Sequence, residues 1–327
     1  MTVMETIAKR LMRLMPAAEP SPADLSLNEI FRHDVYLAAG PERQAEIRRA
    51  SSQHRFEEEA AKPFWTTYFS TYQSPDGPDP ETGHGFARHL RGRHVLDFGC
   101  FTGGRGVRWA EEYGIARLYG CDINPIYMQA ATEFATAHGI PNEYRVLNPD
   151  GTVPFPDECV DTVVTFDVLE HVDDVRRSMS EMVRVLKPGG FLFAVFPQFH
   201  QPFESHMGFV SHTPALQWLV PAPALSRAFF SALEERGDSE WYKPEGQAAW
   251  EKLPCLNGTT KRQFMRVVNT LPVEVVHVTR DPILAHGRSY PTLRRYVVKP
   301  MLTAALGLRV FDELLLDRVA VVLRKAG

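Results

Sequence analysis

The run His94-Val95-Leu96-Asp97-Phe98-Gly99-Cys100-Phe101-Thr102-Gly103-Gly104 joins an apolar stretch ending in an acid to a glycine-rich turn and a helical pattern. Glycines in such a turn let a ligand approach the backbone closely. The helix that follows offers backbone N–H groups with no partner inside the helix. A phosphate cradle of the GxxxxGK[ST] type is excluded, because no Lys or Ser follows these glycines. A pyrophosphate loop of the GxGxxG type is weakened, because its middle glycine is replaced by Phe101. Asp97 instead suits a ligand that carries positive charge and no phosphate. A second acid, Asp122, lies 23 residues after Gly99 at the end of the next apolar stretch. At that distance a carboxylate can accept both hydrogens of a ribose diol. A ribose without a phosphate points to an adenosyl ligand.

Two further groups could move a proton. Asp167, Glu170 and His171 follow Val163-Val164-Thr165-Phe166. His200, Glu204, His206 and His212 follow Phe193-Ala194-Val195-Phe196-Pro197. Imidazole exchanges protons near neutral pH. The plainer reading is that Glu170 and His171 orient the following helix and that His200 and His212 are ordinary loop residues. His200, His206, His212 and Asp167 have the ligand types of a divalent metal site, but their spacing is not diagnostic of one. The expectation is no metal.

These residues need a scaffold. Between residues 91 and 198 short apolar runs alternate with helical stretches, the pattern of βαβ units and a parallel sheet. Strands are expected at HVLDFG, ARLYGCD, YRVLN, VDTVVTFD and FLFAVFP, then at 273–281 and 318–325. The stretch 199–260 is too long for a plain connection. A helical piece is expected over 290–316. Residues 1–90 read as mostly helical, with loops at Pro16–Pro22 and 74–84. The expected organisation is an N-terminal helical segment or lid (1–90), a ligand-binding core (91–198), a helical lid insertion (199–260) and the end of the core sheet with a second helical insertion (261–327).

With 36 Lys and Arg against 40 Asp and Glu, the 327-residue chain has a formal net charge of −4. That argues against a dedicated nucleic-acid binder. Four cysteines without a CxxC pair argue against a disulfide framework or a cysteine zinc site. The expected location is the cytoplasm. No apolar run has the length of a membrane span. The N-terminus, with Lys9, Arg10 and Arg13 among its apolar positions, reads as a surface or lid helix rather than a membrane anchor.

The runs VLDFGCFTGG (95–104), LYGCDINPIYMQAA (118–131), VPFPDECVDTVVTFDVLEHV (153–172) and MVRVLKPGGFLFAVFP (182–197) together resemble the class I S-adenosylmethionine-dependent methyltransferases, specifically the small-molecule group called type 11. The resemblance covers about residues 92–198. It implies an α/β fold with a Rossmann-like, seven-stranded, doubly wound sheet whose last strand is antiparallel. It implies S-adenosylmethionine as cofactor, with S-adenosylhomocysteine as product. Asp97 and the loop of Gly99, Cys100, Phe101, Thr102 and Gly103 are expected on the methionine and ribose side. Asp122 is expected on the ribose diol, Ile123 packed on the adenine, Asp150 on the adenine amino group, and Phe166 among the cofactor-binding residues. Two positions depart from the family pattern. Phe101 replaces the usual second glycine, and the usual acid, counted back from Pro154-Phe155, falls on Pro149, one residue before Asp150.

Methyl transfer from a sulfonium is an in-line displacement, so the protein must align the acceptor, exclude water and supply a base where the acceptor is protonated. His206, His171, Glu170 and Asp167 are the candidates for that work. Phe64, Trp65, Tyr68 and Tyr72 have near-helical spacing, and a packed face is the default. The functional alternative closes Tyr68 or Tyr72 over the cofactor. The apolar stretch 208–234 and the stretch 290–311 are expected to cover the site, which suggests a small, hydrophobic acceptor. A lid simply packed on the core is equally consistent. No Asn/Asp-Pro-Pro-Tyr run follows Phe166, which disfavours flipped-base methylation. A glycan acceptor stays open, as does a homologue that binds the cofactor and acts as a regulatory partner. The Met- and Leu-rich N-terminal helix suits a homodimer element or a lid equally well.

Overall fold

A computed structural model describes residues 2–16, 30, 33–202, 210–235, 256–283, 299–308 and 311–327. Seven strands form one sheet: β1 His94–Phe98, β2 Arg117–Asp122, β3 Asn142–Val146, β4 Val160–Phe166, β5 Leu186–Phe196, β6 Val273–Thr279 and β7 Val319–Lys325. Their spatial order is β3-β2-β1-β4-β5-β7-β6. The first five run parallel, and β7 is antiparallel to both β5 and β6. This is the doubly wound sheet with an antiparallel last strand expected from the sequence.

The strands alternate at period two, which sends side chains to two faces. Val95, Phe193 and Val322 pack on one face with Val107, Trp109 and Phe134. Leu96, Leu192 and Val321 pack on the other with Met179, Met182 and Phe264. The helices that matter for the site and its packing are α1 Val3–Met12, α2 Pro41–Ala61, α3 Gly104–Tyr113, α4 Pro125–Ala137, α5 Val175–Val185, α6 Ala222–Glu235 and α7 Lys261–Val268. Thr2 caps α1 with a reciprocal bond to Glu5, and Asn124 caps α4 ahead of Pro125.

Parallel topology places the carboxyl ends of β1, β2 and β4 side by side, and there the chain must turn sharply. Gly99 does so with φ +76°, and Val168 fills the space a Cβ would need, 2.2 Å away. At the start of α3, a Cβ on Gly104 would stand 1.9 Å from the Ser52 carbonyl oxygen. Helix α2 therefore lies directly against the loop between β1 and α3.

Helix α1 buries Ala8 and Met12 against Leu225, Ala228 and Phe229 of α6. Ion pairs join Glu5 to Arg227 and Lys9 to Glu235. Its apolar face is thus taken up within the chain. Between 290 and 316 the described helices are Lys299–Leu306 and Asp312–Leu315, shorter than the single stretch expected. The backbone turns at Gly307 and Leu308, which hydrogen-bond back to residues 303–305. Among the described residues, no helix is long and apolar enough to cross a membrane.

Candidate active site

A cleft of about 380 Å³ opens at the carboxyl ends of β1, β2 and β4. Asp97, Phe98, Gly99, Cys100 and Phe101 form one wall, and Cys121, Asp122 and Ile123 a second. Leu147, Phe166, Asp167, Val168, His171 and Val172 close it from the far side, and Arg55 and Arg105 reach in from α2 and α3.

Asp122 is held by the loop it faces. One carboxylate oxygen accepts the Phe101 N–H at 3.0 Å and the other accepts the Ile123 N–H at 2.7 Å. Each oxygen keeps a second acceptor position. Burial pushes the Asp122 carboxyl up from its ordinary range, against the pull of these N–H donors. Asp97 is 3% exposed, and burial pushes its carboxyl up to about 7. The Arg105 guanidinium opposes that shift, while the neighbouring acids Asp122 and Glu59 add to it. Arg105 is itself engaged, 3.6 Å from Glu59 and 5.9 Å from the Phe166 ring centre.

Phe101 walls the cleft. Its φ of +50° is a left-handed conformation uncommon for an aromatic residue. The ring meets Tyr127 edge-on at 4.5 Å and lies 5.3 Å beneath the Arg55 guanidinium. Asp167, at φ +60°, is the second strained position on the same cleft. Strained backbone of this kind gathers at binding sites.

Of the residues singled out from the sequence, Asp97, Gly99, Cys100, Phe101, Asp122, Ile123, Phe166, Asp167 and His171 are brought together in this cleft. Glu170 stands behind His171, buried, with its carboxylate 3.6 Å from the imidazole. Others stand elsewhere. Thr102 is fully buried beside the loop, where its hydroxyl meets Ser51 and its carbonyl accepts the Ser52 hydroxyl. Gly103 caps α3 against Ala131. Asp150, expected on the adenine, stands outside the cleft lining: it is exposed, its carboxylate accepts the Thr152 N–H and hydroxyl, and it pairs with Arg177. An acid one position late in a turn folds back on its own loop instead of reaching the cleft.

Tyr72, given as the alternative closure over the cofactor, also stands outside the cleft lining. The short helix Phe64–Tyr68 ends before it, and Tyr72 is buried at the other end of the sheet, with its hydroxyl 3.0 Å from His89. Tyr68 stays outside the cleft lining. It carries the Arg318 guanidinium over its ring, and Arg318 pairs with Asp167. That partner makes Asp167 a bound carboxylate rather than an open base. The carbonyl of His200 accepts the Trp218 indole N–H, and His212 is exposed. Glu204 and His206 lie outside the described residues. Among the described residues, no group of three or more His, Cys, Asp or Glu could hold a metal ion.

Arg55 and Arg105 are the charged lining residues that sequence reasoning missed, beside the apolar Leu147, Val168 and Val172. Arg105 directly follows the glycine-rich run His94–Gly104. Arg55 comes from a helix more than forty residues upstream, and only tertiary packing brings it in.

Residues 96–194 match the family model described as a methyltransferase domain. That stretch, about a third of the chain, is similar to methyltransferase domains. It is 34% identical over 98 residues to norajmaline N-methyltransferase of Rauvolfia serpentina, covering 30% of this chain and 33% of that protein. It is 34% identical over 107 residues to ubiquinone biosynthesis O-methyltransferase of Rhizobium johnstonii, covering 33% of this chain and 42% of that protein. The chain thus spans less than half the length of these relatives. A geranyl diphosphate C-methyltransferase structure from Streptomyces coelicolor A3(2) is 17% identical, with a TM-score of 0.48 over 94% of this chain and 100% of that one. The matched stretch runs from β1 to β5 and contains Asp97, Asp122, Asp167 and His171.

Proposed function

We propose that this chain transfers a methyl group from S-adenosylmethionine to a small, apolar acceptor. The observation that carries the reading is Asp122. Its carboxylate is pinned by two backbone N–H groups at the end of β2 and keeps acceptor capacity toward the cleft. That donor set fits a ribose diol. Asp97, on the neighbouring strand, suits the cationic part of the same molecule. Nothing among the lining residues resembles a phosphate cradle.

In this reading S-adenosylmethionine supplies an electrophilic methyl on sulfonium sulfur. The protein's share is placement and proton management. Asp122 would hold the ribose, and the backbone of Gly99 to Phe101 would border the ligand. Ile123, 76% exposed at the rim, and Leu147 offer apolar surface to the base. His171 faces the cleft from the far wall and takes the acceptor's proton, with Glu170 behind it to orient the ring. Phe166, Val168 and Val172 keep that wall apolar. The relatives named norajmaline N-methyltransferase and ubiquinone biosynthesis O-methyltransferase support a small organic acceptor. We propose that the helical segments within 1–90 and 199–260 cover the acceptor.

Calorimetry with S-adenosylmethionine and S-adenosylhomocysteine, on wild type and Asp122→Ala, tests the reading. Binding by wild type that is lost in the variant supports it. No binding by folded wild type overturns it and leaves a non-methylating homologue of the same fold.

A further inference from the structure

The turn that presents His171 is held from outside by one side chain. Residues 168–172 leave β4 in a tight turn closed by the His171 N–H to the Val168 carbonyl at 2.8 Å. The carbonyls of Leu169, Glu170 and Val172 have no helix to take them up. Asn257 meets all three. Its Nδ2 donates to Leu169 O at 2.7 Å and to Val172 O at 2.8 Å, and its backbone N–H donates to Glu170 O at 2.7 Å. Its Oδ1 accepts the Thr259 N–H at 2.9 Å, which fixes the rotamer. The Thr259 carbonyl in turn accepts the Phe199 N–H at 3.1 Å, so the segment is anchored to the end of β5. Asn257 itself does not line the cleft.

We infer that Asn257 is the positioning residue for the His171–Glu170 pair. The inference rests on the reading of His171 as the base. An amide is the group the geometry asks for, because its two N–H bonds diverge and can serve two carbonyls at once. Aspartate has the same shape and no such donor, and alanine has neither. Loss of the clamp frees the turn, and the 3.6 Å approach of Glu170 to the imidazole is no longer enforced. Asn257 lies about 90 residues along the chain from His171, on the segment leading into α7, so the arrangement also ties the end of the 199–260 insertion to the reacting side of the cleft.

The test uses the full chain with 13C-labelled histidine, and Asn257→Asp beside Asn257→Ala. The readouts are the His171 Cε1–H resonance, assigned with His171→Gln, and S-adenosylhomocysteine binding by calorimetry. The expected result is a displaced and broadened His171 line in both variants. The lines of His89 and His138 stay in place, and the nucleoside affinity stays within about threefold, because Asn257 touches no group on the Asp97–Asp122 side. An unmoved His171 line in a folded variant overturns the inference, as does a common displacement of all three lines. Failure of both variants to fold also overturns it, since Asn257 would then hold the fold and not the turn. Absence of nucleoside binding in wild type would sink the cofactor reading instead, and the His171 line would still decide whether Asn257 positions it.

Discussion

The Asp122 carboxylate and the Phe101 backbone N–H meet at 3.0 Å across the cleft loop. That bond couples the acid on the second strand, which dinucleotide-binding loops share, to the position where this loop departs from them, a bulky residue in place of the middle glycine. Removing the carboxylate leaves the N–H groups of Phe101 and Ile123 without their charged acceptor. Asp122→Ala is expected to lower S-adenosylmethionine affinity by roughly two orders of magnitude, from the loss of charge-assisted hydrogen bonds at about 1.5–3 kcal/mol each. Calorimetry reads the change directly, and an affinity within a few-fold of wild type would remove Asp122 from the site.

Phe101 holds a φ of +50°. A left-handed conformation costs a non-glycine residue about 1–2 kcal/mol. The ring contacts with Tyr127 and Arg55 oppose that cost. Comparing Phe101→Gly with Phe101→Ala separates the two effects, because both lose the ring and only glycine loses the strain. Phe101→Gly should be the more stable variant by about 1 kcal/mol in urea denaturation. Equal stability would mean that the loop relaxes to a negative φ in the alanine variant.

The sheet was legible in the sequence because its signals are local. Apolar runs such as Val160–Phe166 and Val319–Lys325 are bounded by turns and flanked by helical periodicity, and they fold as written. Asp97 and Asp122 were legible because parallel strands necessarily bring their carboxyl ends together. Asp150 was not, because one residue of offset in a turn decides whether a side chain faces the cleft or its own backbone. Arg55, Arg318 and Asn257 reach the cleft region through packing of elements remote in sequence, and no local pattern marks them. The near-helical spacing from Phe64 to Tyr72 was read by default as a packed face, and Tyr68 and Tyr72 are buried, although the helix stops at Tyr68.

The contact between α2 and α3 leaves no room for a methyl group at Gly104, where a Cβ would meet the Ser52 carbonyl oxygen at 1.9 Å. A backbone oxygen cannot rotate away, so α2 itself must shift. Gly104→Ala is expected to cost about 3 kcal/mol, the upper end for overpacking, and to move Arg55 out of the cleft with its helix. Gly92→Ala is the control, since it has open space and only a φ of +66° to bear. Its expected cost is about 1–2 kcal/mol. Chemical denaturation of the pair gives the comparison, and equal losses would contradict the close packing of α2.

Asp97 and His89 tilt stability in opposite directions with pH. The native Asp97 carboxyl holds its proton up to about 7, whereas an unfolded aspartate releases it near 3.8. Between those values the native state binds more protons, so this group's contribution is complete below the unfolded value and is lost as pH rises toward 7. His89 does the reverse. Burial beside Tyr72 lowers its value from 6.5 to about 4, so the unfolded state binds the extra proton in that window and stability falls as pH drops from 6.5 toward 4. Each shift corresponds to an effect of order 3 kcal/mol. Over pH 4 to 6.5 the two slopes oppose one another, and wild type is expected to show little net dependence from this pair. Asp97→Asn removes one arm, so its stability should climb with pH across that window relative to wild type. His89→Gln removes the other, so its stability should fall. Urea midpoints at pH 4.5, 5.5 and 6.5 read both slopes. Parallel profiles for wild type and Asp97→Asn would show that the native Asp97 is ionised throughout, and the cleft would then face its ligand with a permanent negative charge.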